Sequence, residues 1–360
     1  MSNFSLSIHQ TGLSAQQTLL NDYRLAWISR EASLLGRKEV LTGKAKFGIF
    51  GDGKELAQIA MARAFKKGDW RSGYYRDQTF MMAIGELTVR QYFAALYAHT
   101  DIEQEPASGG RQMGGHYATR TIDAQGNWKN LMEMYNSSSD ISPTGGQMPR
   151  LLGLAQASKV FKNVQELHDW VHFTDKGNEV AFGTIGDSST SEGLFWETMN
   201  AAAVLHVPMC MSVWDNGWGI SVPKKFQTAK ESISEVLSGF DLNDNGEGFK
   251  IFKVKGWNYA ELVLTYAKAV KMCREQHVPV LVHVEELTQP QGHSTSGSHE
   301  RYKSKELLDW YQDWDCLVQF KKFILAQGIS SEEELEAIQQ EAKAFVRQEQ
   351  KDAWSSFRAS

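Results

Sequence analysis

Cysteine is scarce in this chain: Cys210, Cys273 and Cys316 are the three in 360 residues, and no Cys-x-x-Cys pair occurs. That argues against a disulfide framework and fits reduced thiols in a cytosol. A large excess of one charge is missing too. The 38 Lys and Arg set against 43 Asp and Glu leave a net charge of −5, which argues against nucleic acid or an acidic membrane as the main partner. No apolar run reaches membrane-spanning length, and there is no internal repeat. The opening MSNFSLSIHQTG has neither the basic start nor the apolar core of a signal peptide. The expectation is a cytoplasmic protein. What is present is ordinary: 42% apolar residues, enough for a sizeable core in one large α/β domain or two small ones.

The most informative stretch runs from Val180 to Ser221. Val180 to Ile185 is a short apolar run of the kind a buried parallel strand needs, and it stops at Gly186-Asp187. Ser188, Ser189, Thr190 and Ser191 are N-cap residue types, with Glu192 adding negative charge in the first turn. Phe195, Met199, Ala202 and Leu205 then recur on one helical face, until Pro208 forbids continuation. Met209 to Trp214 is a second apolar run, stopping at Asp215-Asn216-Gly217. Parallel strands joined by a crossover helix present the same edge to the same side. Asp187 and Asn216, 29 positions apart, are therefore expected to meet at the carboxyl edge of the sheet, where open α/β folds bind ligands. A carboxylate, an amide oxygen and a backbone carbonyl from the Gly217-Trp218 turn make a hard-oxygen set suited to Mg²⁺. The small residues after Asp187 leave room for a diphosphate near a helix N-terminus. The alternative is plain turn chemistry at both places.

Gly186-Asp187, followed at this spacing by Asn216 in Asp-Asn-Gly-Trp-Gly-Ile-Ser, resembles the thiamine diphosphate motif, and more closely the alpha subunit of the decarboxylating component of 2-oxoacid dehydrogenase complexes. Ser188 stands where that motif has its second glycine, and Asp215 where it has its first asparagine. The resemblance implies a thiamine diphosphate-binding fold, a three-layer α/β sandwich with a mainly parallel sheet. It implies Asp187, Asn216 and the Trp218 carbonyl as Mg²⁺ ligands, with Gly186 and Ser188 beside the cofactor.

Three further segments carry the resemblance. Tyr75-Arg76-Asp77 matches the family's grip on the terminal phosphate, for which an arginine fork is the natural partner; the alternative is a surface turn with an Arg76–Asp77 ion pair. Asp140 to Pro149 matches the segment that cradles the aminopyrimidine ring, with Ser142 and the backbone of Thr144 facing the cofactor. Gln147 and Pro143 fit a neighbouring monovalent-cation site, but Gly146 stands where a hydroxyl is usual. Gln289 to Tyr302 matches the active-site loop, with His293 over the cofactor as a proton donor or orienter, near neutral pKa by residue type. The family often has Tyr-Arg where this chain has Thr288-Gln289, so one phosphate-facing cation is missing or supplied by another residue. His116, in Gly-Arg-Gln-Met-Gly-Gly-His-Tyr, is either a ligand contact or a structural hydrogen-bonder.

Elsewhere, helices are expected over 14–38, 55–65, 88–99 and 151–159, and a second strand–helix–strand unit over 249–254, 259–276 and 278–285. The literal Gly51-Asp52-Gly53 follows no buried strand and has Met81 at the crossover spacing, so it reads as a turn. His168 and His172 share a helix face if that segment is helical, the pattern of a zinc site, but aspartate stands between them where zinc peptidases have glutamate. The chain divides into an α/β unit (1–310) and a charged, Trp-rich helical extension (311–360).

By the resemblance the protein decarboxylates a 2-oxo acid with thiamine diphosphate and Mg²⁺ and passes the acyl group to a lipoyl-bearing acyltransferase core. It does so with a beta subunit or fused beta domain, which supplies the glutamate that activates the cofactor ring. Two other readings stay open: a transketolase-like subunit of another thiamine diphosphate enzyme, and a homologue without chemistry.

Overall fold

The computed structural model describes residues 7–9, 12–295 and 297–360. Residues 1–6 of the N-terminal reading, with Gln10 and Thr11, and Ser296 of the active-site loop lie outside the described residues. The strands are β1 (Trp70–Ser72), β2 (Asn136–Ser137), β3 (Ala181–Gly186), β4 (Met209–Trp214), β5 (Trp218–Gly219), β6 (Val222–Pro223), β7 (Lys250–Lys255) and β8 (Val280–Glu285). Six of them form one sheet in the order β2-β1-β3-β4-β8-β7, every pairing parallel. The helices are α1 (Ala15–Leu41), α2 (Glu55–Ala64), α3 (Gln78–Ala83), α4 (Val89–Leu96), α5 (Gln147–Asn163), α6 (Gly193–Leu205), α7 (Ile233–Val236), α8 (Tyr259–Gln276), α9 (Lys305–Asp313), α10 (Cys316–Ala326) and α11 (Glu332–Ala359).

Period-2 alternation along the strands divides the core into two layers. Phe182, Cys210, Trp214, Val280, Val282 and Val284 face one side, where α1, α2, α3 and α8 supply Tyr23, Ile59, Phe80 and Tyr266. Ala181, Ile185, Met209, Met211, Val213 and Leu281 face the other, against Leu151 of α5 and Phe195 and Met199 of α6. Helices on both faces of a parallel sheet make the expected three-layer sandwich. Leu317 and Phe320 of α10 and Leu335, Ile338 and Val346 of α11 join the first of these cores, so the C-terminal helices pack outside α1 rather than on the sheet.

The two crossover units fall where their apolar runs end. Some expectations give way. The hydroxyls Ser188 to Ser191 form a 3₁₀ turn, and α6 starts after it with Glu192 at its N-cap. Helix α5 begins at Gln147 rather than Leu151, because Pro149 sits within its first turn, where a missing N–H costs nothing. His168 and His172 lie in turns after a three-residue 3₁₀ segment, not on a helix face. Among the described residues no cluster of three or more His, Cys, Asp or Glu is placed to hold a metal. Strands β1 and β2, paired at one side of the sheet, are three and two residues long, too short to show a period.

Short as it is, β1 carries the side chain that ties the carboxyl edge together. Arg71 is fully buried. Its guanidinium donates to Asp77 Oδ2 at 2.6 and 2.9 Å, to the Asp140 carboxylate at 3.0 Å through two nitrogens, and to the Tyr74 carbonyl at 3.1 Å. Asp77 Oδ2 also accepts from Thr184 Oγ1 of β3 at 2.5 Å, and Asp140 Oδ2 from the Tyr117 N–H at 3.0 Å. One cation therefore joins the 74–77 turn, the segment at 117 and the start of the 140–149 segment. Asp77 pairs with Arg71, not with Arg76.

Replacing Arg71 by methionine leaves two buried carboxylates without their partner. It is expected to lower the unfolding free energy by about 3–5 kcal/mol, read from urea melts; a loss below about 1 kcal/mol contradicts the tether.

Candidate active site

Asp187 follows β3 directly, and its N–H donates to the Trp214 carbonyl at the end of β4 at 3.1 Å. The two strand ends are therefore stitched together, and Asp187 and Asn216 line one cavity of about 390 Å³. The Asp187 side chain is buried, and its Oδ2 has no hydrogen-bond partner among the described residues. A buried carboxylate oxygen left unsatisfied is costly. Burial first, then the negative charge of Asp215, hold the Asp187 carboxyl well above the ordinary carboxylate range.

Asp215 behaves differently. Its carboxylate accepts from His283 Nε2 at 3.0 Å, Lys224 Nζ at 2.9 Å and the Gly217 N–H at 2.8 Å. Burial works against its charge, but the His283 hydrogen bond and the Lys224 ammonium outweigh it and hold the carboxyl below its usual value. The departure at 215 is thus absorbed by a local ion pair, and Asp187 is left as the carboxylate open to the cavity at the end of these two strands.

Asn216 Oδ1 accepts from the Trp218 N–H at 3.0 Å, an Asx turn, while its Nδ2 donates to Gln289 Oε1 at 3.2 Å. The turn leaves Oδ1 a second lone pair. Trp218 opens a small antiparallel hairpin with Pro223 opposite it in the ladder, and proline has no N–H with which to occupy the Trp218 carbonyl. The Ser188 hydroxyl donates to Gln227 Oε1. A Cβ at Gly219 would collide with that hydroxyl, so the glycine missing at 188 is matched by one at 219.

The lining also holds cationic side chains. Arg76 is buried and donates to the carbonyls of Phe50 at 2.5 Å and His293 at 2.8 Å, and its guanidinium lies 5.3 Å from the centre of the Tyr75 ring. Burial, then Arg76 and Lys54, push the His293 imidazole down to about 4. It is therefore neutral near pH 7, below the value its residue type suggested. His116 Nδ1 lies 2.9 Å from the Met113 carbonyl, which only accepts, so Nδ1 carries the proton and Nε2 accepts from Ser142 Oγ at 2.9 Å. That makes His116 a hydrogen-bonder that also lines the cavity. Gln147 Nε2 is spent on the Thr184 carbonyl at 3.0 Å.

All ten site residues named from the sequence, Tyr75, Arg76, Ser142, Thr144, Gly186, Asp187, Ser188, Asn216, Trp218 and His293, line this one cavity. Lys54 lines it as well, and sequence reading missed it. The loop that carries it was read as a turn, and the nearest signal was a lysine directly ahead of an otherwise apolar helix. Asp52 does not line the cavity; its carboxylate accepts from the Gln291 N–H at 3.0 Å and so anchors the 289–291 segment.

Comparison with known proteins places the site in context. The family model described as "Dehydrogenase E1 component" matches residues 23–358. The chain is 27% identical over 350 residues to the 2-oxoisovalerate dehydrogenase subunit alpha of Bacillus subtilis (strain 168), covering 96% of this chain and 93% of that protein. It is 26% identical over 337 residues to the pyruvate dehydrogenase E1 component subunit alpha of Acholeplasma laidlawii, covering 92% and 82%. It is 27% identical over 304 residues to the 3-methyl-2-oxobutanoate dehydrogenase subunit alpha of Mycobacterium tuberculosis (strain CDC 1551 / Oshkosh), covering 84% and 68%.

The state of Asp187 has a measurable consequence. Its pKa is raised on folding, so the folded chain holds a proton that the unfolded chain releases, and stability falls as pH rises through that window. Asp187→Asn, permanently neutral, removes this loss. In thermal melts without ligand, the variant is expected to exceed the wild type by about 1–3 kcal/mol at neutral pH, with the gap closing towards acid pH. A variant less stable at neutral pH contradicts the assignment.

Proposed function

Because the chain belongs to the dehydrogenase E1 component family, we propose that it is the alpha half of a 2-oxoacid dehydrogenase. With a beta chain or a fused beta domain, it decarboxylates a 2-oxo acid using thiamine diphosphate and Mg²⁺, and the acyl group passes to a lipoyl arm on an acyltransferase core. One observation carries the reading: the unsatisfied Asp187 carboxylate, the Asn216 amide and the Trp218 turn share a cavity with Arg76. Hard oxygens and a guanidinium lining one cavity suit a diphosphate bound through a divalent cation. In this reading Asp187, Asn216 and the Trp218 carbonyl hold the metal, and Tyr75 and Arg76 hold the terminal phosphate. Ser142 and Thr144 flank the ring.

When bound, thiamine diphosphate provides the electron sink for the pair released with CO₂. The chain's own part is to bind, orient and dry the site. Arg76 holds the loop at the His293 carbonyl, which sets the imidazole beside the cofactor.

Strand β7 is an edge of the sheet, and the described residues after β8 form helices and turns. Met113 and Ile220 at the mouth are 52% and 60% exposed, with Phe226 nearby in sequence at 73%. Apolar residues standing exposed around a half-built site favour a covering partner. Among the described residues no helix is long and apolar enough to cross a membrane, and the reduced cysteines favour the cytoplasm. The names of the relatives divide between branched-chain and pyruvate enzymes, which keeps the substrate at the level of a 2-oxo acid.

Calorimetry with thiamine diphosphate and Mg²⁺ tests this on the chain assembled with its beta partner. Tight Mg²⁺-dependent binding is expected, weakened by Asp187→Ala at least about 100-fold, the upper end for loss of an outer partner of a metal. Unchanged binding in that variant, or brisk decarboxylation by this chain alone, contradicts the reading.

A further inference from the structure

Lys54 is an ammonium buried to 1% exposure. Such groups are ordinarily matched by a carboxylate, because taking a charge out of water costs several kcal/mol on the order of magnitude. Lys54 has no such match. Its Nζ donates to Gln289 Oε1 at 2.6 Å and faces the Asp52 carbonyl at 3.5 Å, both neutral oxygens. Among the described residues no Asp or Glu oxygen lies within 4.0 Å of it. Arg76, in the same cavity, also donates to two carbonyls and has no carboxylate within that distance. Two buried cations thus line one cavity.

A purely structural role does not call for this charge. A neutral amide at 54 would bond the same two acceptors without the desolvation cost. Burial, then the Arg76 charge, pull the Lys54 ammonium down to about 7, against the opposing pull of the more distant Asp52, Glu55 and Asp187 carboxylates. The residue it grips is Gln289, which stands where the resembling family often has arginine. Gln289 Oε1 accepts from Lys54 Nζ and from Asn216 Nδ2 at once, while its Nε2 faces Asp52 at 3.4 Å. One amide, held from behind by the Gly51-Asp52-Gly53 turn, therefore aligns the ammonium with the proposed metal ligand.

We infer that Lys54 is a diphosphate-binding cation of this site, delivered from the start of α2 in place of an arginine at 289, with Gln289 as its positioning residue. This rests on the thiamine diphosphate reading above. It assigns the 44–54 loop a direct part in binding.

The test is calorimetric titration of thiamine diphosphate with Mg²⁺ into the chain assembled with its beta partner. It compares wild type, Lys54→Met, Lys54→Arg and the swap Lys54→Gln/Gln289→Arg, each checked for folding by thermal melt. Lys54→Met is expected to weaken binding at least about tenfold, the loss of one charge-assisted contact. Lys54→Arg and the swap are expected to stay within about threefold of wild type, because a cation is kept in the same place. A folded Lys54→Met that binds within about twofold of wild type overturns the assignment. If Lys54→Met does not fold, the swap decides: wild-type affinity supports the role, and a tenfold deficit overturns it. Absence of thiamine diphosphate binding by the wild-type assembly is a different result, and refutes the functional reading itself.

Discussion

The carboxyl edge of this sheet depends on one buried ion cluster, Arg71 with Asp77 and Asp140. None of the three faces the cavity, yet the turn carrying Tyr75 and Arg76 ends at Asp77 and the segment carrying Ser142 and Thr144 begins at Asp140. Loops at a sheet edge are held by few apolar contacts. A guanidinium shared between two of them supplies a rigid joint that burial alone does not, since its planar fork fixes direction as well as distance. Desolvating three charges is expensive, and such clusters are weak evidence for stability in themselves. Here the return is geometric: segments that are not neighbours in sequence are brought to one cavity.

Around that joint the site is arranged as an electrostatic mismatch. Asp187 is buried with an unsatisfied oxygen, and among the described residues Lys54 and Arg76 are buried with no carboxylate oxygen within 4.0 Å. Asp215, by contrast, has all the partners it needs in Lys224, His283 and the Gly217 N–H. The two neighbouring acids are thereby driven to opposite protonation tendencies by their surroundings. A ligand that brings a divalent cation to Asp187 and anionic oxygens to Lys54 and Arg76 repairs both defects at once. Preorganisation of this kind is costly to the empty protein and favourable to the complex.

Much of this was legible in the residues, and the reasons differ by element. The β3–α6–β4 and β7–α8–β8 units are buried on both faces, so their apolar runs are continuous and end where the strands end. That alone placed Asp187 and Asn216 at a common rim. Strands β1 and β2 escaped because two or three residues carry no period, and with them went Arg71, whose role depends on partners 6 and 69 positions away. Lys54 escaped for a related reason: nothing local distinguishes a buried lysine at a helix start from an exposed one, and its partner is 235 positions distant. His168 and His172 do not share a helix face, because the chain turns there and leaves them in separate turns.

The most direct test of the account is a crystal structure of the assembled protein with thiamine diphosphate and Mn²⁺ in place of Mg²⁺, read by anomalous scattering. The account predicts a single strong peak bounded by the Asp187 carboxylate, the Asn216 side-chain oxygen and the Trp218 carbonyl, at roughly the 2.0–2.3 Å expected of hard-oxygen ligands. A peak on Asp215 or Asp52, or none at the ends of β3 and β4 with cofactor present, contradicts it.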